Sequence, residues 1–172
     1  METELNVVGS RSFTERMIGA AKLDIDVYEE VEADTDATMQ AAGVVAIVAL
    51  ASAIGGIGAG AAGAIGGLLA AIVGWLLWAG ITYLIGDKLL GGTATWGELL
   101  RTIGFAQAPG VLMVLAIVPM LGWIVAIVVT FWMLCTVIVA IRQALDFGTG
   151  KAIITALLGL IPYAVLRALI GV

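Results

Sequence analysis

From Met39 to Ile85 the chain runs 47 residues without one charged side chain. A membrane-spanning helix needs about 20 mainly apolar residues. The run is therefore too long for one crossing and suits two joined by a tight turn. Its glycine-rich centre, GGIGAGAAGAIGG from Gly55 to Gly67, supplies that turn. The first span is predicted near 39–58 and the second near 64–86. Composition agrees. Of 172 residues, 62% are hydrophobic and 12% charged, and the mean hydropathy is +1.12. Soluble domains run nearer 45–50% and about 25%. These values exclude an ordinary cytosolic enzyme and a disordered chain. A net charge of −5 without a basic stripe excludes nucleic acid as a partner.

Three further spans follow. The stretch 86–102 is the most polar break in the body, with Asp87, Lys88, Glu98 and Arg101, and Trp96 suits an interfacial anchor. A third span is predicted over 103–119, short and kinked by Pro109. Pro119 to Gly122 makes a turn, and 123–141 is the fourth span. Arg142, Asp146 and Lys151 mark a second polar break before the fifth, 152–172, which Pro162 interrupts. The expected fold class is all-α, a polytopic bundle of about five transmembrane helices, with the domain boundary at 38/39.

The first 38 residues hold ten of the thirteen acids. No cleavable signal peptide is expected, because the first long apolar run follows an acidic flank. Ser12 and Glu15 have capping-box spacing, and Phe13, Met17, Ala20 and Ala21 share one face of the helix that follows. That helix lies either on the membrane surface, with Arg16 and Lys22 toward lipid phosphates, or on the protein's own body. The acids from Asp24 to Asp36 fail the EF-hand pattern, since Glu29 and Thr35 fill positions 6 and 12. They read as a solvated acidic face, with Thr35 or Asp36 capping the first membrane helix. With five spans, the head and the two polar breaks share one side and carry seven of the eight basic residues; the other side has Arg167 alone. The positive-inside rule then puts the N-terminus in the cytoplasm and the C-terminus outside, in the cell membrane.

Chemistry-bearing residues are scarce. There is no histidine, and the single cysteine, Cys135, falls in an apolar run as a small packing residue. No catalytic, metal or cofactor-binding residue is assigned, and no cofactor is expected. Gly56–Gly60 and Gly63–Gly67 have the GxxxG spacing that lets helices approach closely, either within the chain or against a partner. Gln107 beside Pro109, together with Pro162, gives a broken helix with one polar side chain, read as a kink or as a transport site. Arg142 and Asp146, four residues apart, are placed to pair with each other or with acids of the head.

The order of these features resembles the Yip family of Rab-interacting membrane proteins, in its prokaryotic form. The resemblance rests on Asp26-Val27-Tyr28 in the acidic head, Gly104-Phe105 followed by Pro109 within RTIGFAQAPGVL, and AIRQALD before the last helix. It implies five membrane helices with a cytosolic N-terminus. Eukaryotic members bind prenylated Rab GTPases and one another, and carry Asp-Leu-Tyr-Gly-Pro in the head. Here Asp26 and Tyr28 match, whereas Glu29 and Glu30 stand at the Gly and Pro positions. Three functions are compatible with this sequence. The first is a non-catalytic scaffold or accessory subunit in the bilayer, partnered by its own copies or by other membrane subunits. The second is an oligomeric transporter or channel. The third is a membrane enzyme with an interfacial site.

Overall fold

The computed structural model describes residues 11–56, 60–118 and 120–170, and these are helical with short connections. Seven α-helices follow in order: α1 Phe13–Ala21, α2 Ile25–Ala33, α3 Ala37–Gly55, α4 Gly60–Tyr83, α5 Trp96–Ala106, α6 Gly122–Ala144 and α7 Thr149–Ile170. A π-helical turn, Leu84–Leu89, prolongs α4, and a 3₁₀ segment, Ala108–Ile117, prolongs α5. Four stretches are long and apolar enough to cross a bilayer: Ala37–Gly55, Ile65–Leu89, Trp96–Ile117 and Gly122–Ala144. A shorter apolar helix, Thr149–Val165, joins them. The protein is thus an all-helical integral membrane protein. Residues 57–59 of the predicted glycine turn, Pro119, the surroundings of Gly60 and Gly63, and the Arg167 side chain lie outside the described residues.

The third span starts at Trp96, seven residues before the sequence places it. Thr95 and Glu98 close a reciprocal capping box, with the Glu98 amide on Thr95 Oγ1 at 3.3 Å and Thr95 N on Glu98 Oε2 at 2.8 Å. Charges that read as a loop are therefore helical. This span is also the most enclosed, with 56% of its most apolar 18-residue stretch buried against 22–33% in the other three. Glycine allows that. A Cβ on Gly104 would stand 2.7 Å from Ala41 Cβ and 3.2 Å from the Trp75 indole nitrogen, and one on Gly110 2.5 Å from Val48. Close approach of backbones is the main route to association where lipid removes the hydrophobic drive.

The helix changes character where Pro109 removes an amide donor. Gln107 N bonds back to Gly104 O at 3.2 Å, and Gly110 N to Gln107 O at 2.8 Å, the shorter 3₁₀ pattern. The Ala106 carbonyl is taken by Thr136 Oγ1 from α6, at 2.6 Å. A threonine hydroxyl thus closes the break. Cys135 is exposed on α6, not packed inside as its apolar run suggests.

The head does not lie free on lipid. The Ser12–Glu15 capping box forms as its spacing predicts. The helix it starts packs on the bundle, with Gly19 and Ala20 buried and the Phe13 ring edge-on to Phe105 at 6.3 Å. Trp132 of α6 donates its indole N–H to Ala21 O, at 2.7 Å. Asp36 occupies the N-cap position of α3 but makes no side-chain cap bond.

Candidate functional site

Two places gather polar side chains. The first is the junction of head and bundle. Arg16, which faces lipid phosphates in the surface-helix reading but not in the packed-helix one, is buried at 2% exposure. Its guanidinium meets Glu30 Oε1 at 2.9 Å and Asp34 Oδ2 at 2.8 Å, and it bonds Gln40 of α3 at 3.0 Å. Arg11 adds a second cation on Glu30, at 2.6 Å. The acidic run is therefore not simply a solvated face. Two of its acids compensate an arginine that burial would otherwise penalise. Burial works to raise the Glu30 carboxyl, but bonds from Arg11 and Arg16 outweigh it and hold the group below the ordinary 4.5. The Arg16 bond likewise holds Asp34 below 3.8.

Arg101 of α5 fastens the other side of the head. Its Nε meets Val31 O at 2.9 Å and Glu32 O at 3.1 Å, and its Nη2 also bonds Glu32 O. These carbonyls belong to the last turn of α2, where helical partners run out and the dipole favours a cation. Beside this contact lies a cleft of about 250 Å³ lined by Glu29, Glu32, Ala33, Glu98, Gln143 and Asp146. Burial, with Glu98 and Asp146 nearby, raises the Glu32 carboxyl to about 7.

The remaining sequence candidates sort around this frame. Tyr28 is fully buried, and its hydroxyl donates to Ala20 O at 3.0 Å, tying α2 to α1. Burial pushes its phenol well above the usual range. Asp26 is exposed, and its backbone amide is bonded by the Asp24 carboxylate at 3.1 Å. Phe105 is buried under Phe13. Arg142 and Asp146 do not pair. The helix ends at Ala144 and Asp146 takes a left-handed φ of 52°, so helical four-residue spacing no longer applies. Asp146 instead accepts from Thr93 Oγ1 at 2.8 Å, Arg142 bonds Gln143, and Gln143 reaches Glu29 at 3.2 Å. An enzyme's interfacial site would draw on Asp26, Tyr28, Asp87, Glu98, Arg101, Arg142 or Asp146, and of these Glu98 and Asp146 line the cleft. Arg101 is spent on carbonyls and Asp87 on Lys88.

The second place lies within the spans. A cavity of about 590 Å³ opens between α3, α4, the end of α5, α6 and α7. Gln107, half-buried, is on its wall, with Ser52 and Tyr163 as the other polar side chains. Gly56 and Gly67 line it too, but neither is pressed by another helix among the described residues. A Cβ on Gly67 meets nothing within 4 Å, and one on Gly56 meets only Ser52 O of its own helix. Pro109 is buried at the start of the 3₁₀ segment, and Pro162 lies within α7.

A membrane bundle of apolar spans, with an acidic two-helix head clamped on one end, is the class this structure defines. The Yip1 domain matches residues 28–169, from the buried tyrosine of the head into the last helix, and the chain belongs to the Yip family. No curated protein and no solved structure is similar enough to register as a match.

Proposed function

We propose that the protein is a non-catalytic scaffold or accessory subunit of the cell membrane, packing with its own copies or with other membrane subunits. The observation that carries this reading is the use made of its ionisable groups. Arg16, through Gln40, and Arg101, through the last carbonyls of α2, hold the head to the bundle, while Arg11 and Arg16 on Glu30 and Asp34 brace the head itself, so the exposed acids present a fixed surface. The helix face at Gly66 supports the same reading, because a Cβ there meets no described residue within 4 Å. The end that bears the head carries the basic residues of both polar breaks, which favours a cytoplasmic head under the positive-inside rule. Native mass in mild detergent, with mass-spectrometric identification of bound chains, tests the proposal. The expected result is an assembly well above the 17.7 kDa chain that Gly66→Leu disrupts. A monomer without companions overturns it.

Gln107 on the cavity wall favours a second reading, transport of a small solute by an oligomer. Solute flux into proteoliposomes that Gln107→Ala abolishes would establish that reading over the first.

A further inference from the structure

The intramembrane cavity is large, and the described side chains leave it open. Its 590 Å³ falls within the roughly 300–1,000 Å³ of small-molecule sites. It has room for on the order of 20 non-hydrogen atoms, at ~30 Å³ each as in a liquid. Two walls are built from small residues, Ala49 and Ala53 on α3, Ala70, Ala71 and Gly74 on α4. The large side chains that border it are committed elsewhere. Trp75 donates its indole N–H to Leu100 O at 2.9 Å, and Trp78 packs edge-on against Tyr163 at 4.9 Å. Neither ring is free to swing in and close the space.

The lining selects the occupant. Water in a buried site needs two to four polar partners, and here three polar side chains are spread over α3, α5 and α7. A hydrocarbon fits better. Of these three, Gln107 carries the argument. The Gln107 amide, with two donors and an acceptor, makes no side-chain hydrogen bond to another described residue, although it stands eleven residues into a membrane-crossing segment. A polar group left unmatched at such depth is costly, and a ligand that bonds it removes the cost.

We propose that this cavity binds one lipid-soluble molecule, a long hydrocarbon chain bearing a single hydroxyl or carbonyl that meets the Gln107 amide. The site is independent of what the protein scaffolds. The probe is hexadecanol carrying a mid-chain diazirine, photolysed with the purified full-length protein in phospholipid nanodiscs. A diazirine hexadecane without the hydroxyl runs in parallel, and adducts are mapped by mass spectrometry. Adducts are expected on Trp75, Met133 and Tyr163. Ala70→Trp and Ala53→Trp fill the space from opposite walls, and each lowers the yield at least about fivefold. Using both keeps the test decisive if one fails to fold, as judged by gel filtration. Gln107→Leu lowers hexadecanol labelling about fivefold, the factor for one hydrogen bond of ordinary strength, and leaves hexadecane labelling unchanged. Competition by added phospholipid identifies the site's occupant as a lipid chain, and competition by free hexadecanol alone identifies a single-chain amphiphile. Adducts spread over the exposed α6 residues Ile127 and Phe131 and indifferent to the tryptophan variants overturn the proposal. So does a Gln107→Leu protein that labels with hexadecanol as well as the parent.

Discussion

Single side chains carry the head and the helix break. Arg16 has four bonds to three partners and almost no exposure. Arg16→Met keeps the apolar stem and leaves Glu30 and Asp34 without their shared cation. Breaking a buried pair costs about 3–5 kcal/mol. The carboxylates here are 22% and 30% exposed, so a loss of about 2 kcal/mol is expected, read as faster amide exchange over 13–33 with the spans unaffected. Thr136→Val orphans the Ala106 carbonyl in a dry interior and should lower stability by about 1–3 kcal/mol. Thr136→Ser keeps the bond and should recover most of it in the same thermal-unfolding series. The glycines divide in the same way. Gly104→Val drives a branched side chain into Ala41 and Trp75, and overpacking of this kind costs about 1–3 kcal/mol. Gly67→Ala meets open space and should be neutral or slightly favourable to the helix. Of the GxxxG glycines, Gly56 and Gly67 are open and the surroundings of Gly60 and Gly63 lie outside the described residues, whereas Gly104, which no spacing singles out, sits in a tight crossing. Spacing along one helix does not say which neighbour lies across it.

At the scale of elements, local signals were legible where both partners are near in sequence, and not elsewhere. Ser12 and Glu15 lie three apart and form their capping box as read. Thr95 and Glu98 form the same box, but the charges around them read as a loop, because nothing local reveals that the head shields Arg101. The π turn at 84–89 and the ten-residue 3₁₀ segment carry no pattern of their own beyond Pro109. The head also has a pH dependence with two limbs. Glu30 and Asp34 are held below their ordinary 4.5 and 3.8. Their contribution is complete above those values and is lost as pH falls below them. Glu32 is raised to about 7. The folded state therefore binds the extra proton between 4.5 and about 7, and docking weakens as pH rises through that window. Docking should be tightest near pH 5. A nitroxide distance between Lys22→Cys and Gly148→Cys, in a Cys135→Ser background, measures it. Glu32→Gln should flatten the upper limb and spare the lower, and a lower limb that moves with it would assign the effect to the wrong carboxylate.

Across the whole molecule, alternation of apolar runs with charged breaks made the all-helical membrane class readable, because dehydration cost admits few other arrangements of such a chain; of the five spans expected, four are long and apolar enough to cross and the last is a shorter apolar helix among the described residues. What alternation alone leaves unstated is that the breaks meet. Thr93 bonds Asp146, Lys151 Nζ reaches Leu90 O at 3.3 Å, and Gln143 reaches Glu29, so the head, the 90–95 connection and the 145–148 connection close over one end of the bundle. The long-range partners that assemble this end are separated by 53 to 114 residues, beyond any local pattern. Its excess of arginine and lysine sets the expected orientation. In the Cys135→Ser background, single cysteines at Lys22, Gly148 and Met120 report it, each exposed in the structure. An impermeant maleimide added to intact cells should label Met120→Cys, at the opposite end, and should reach Lys22→Cys and Gly148→Cys only after the membrane is opened. Labelling of Lys22→Cys from outside would invert the orientation. Labelling of Lys22→Cys and Gly148→Cys from different sides would break the five-span arrangement itself, because the bonds joining the head to the 142–148 region require both on one face.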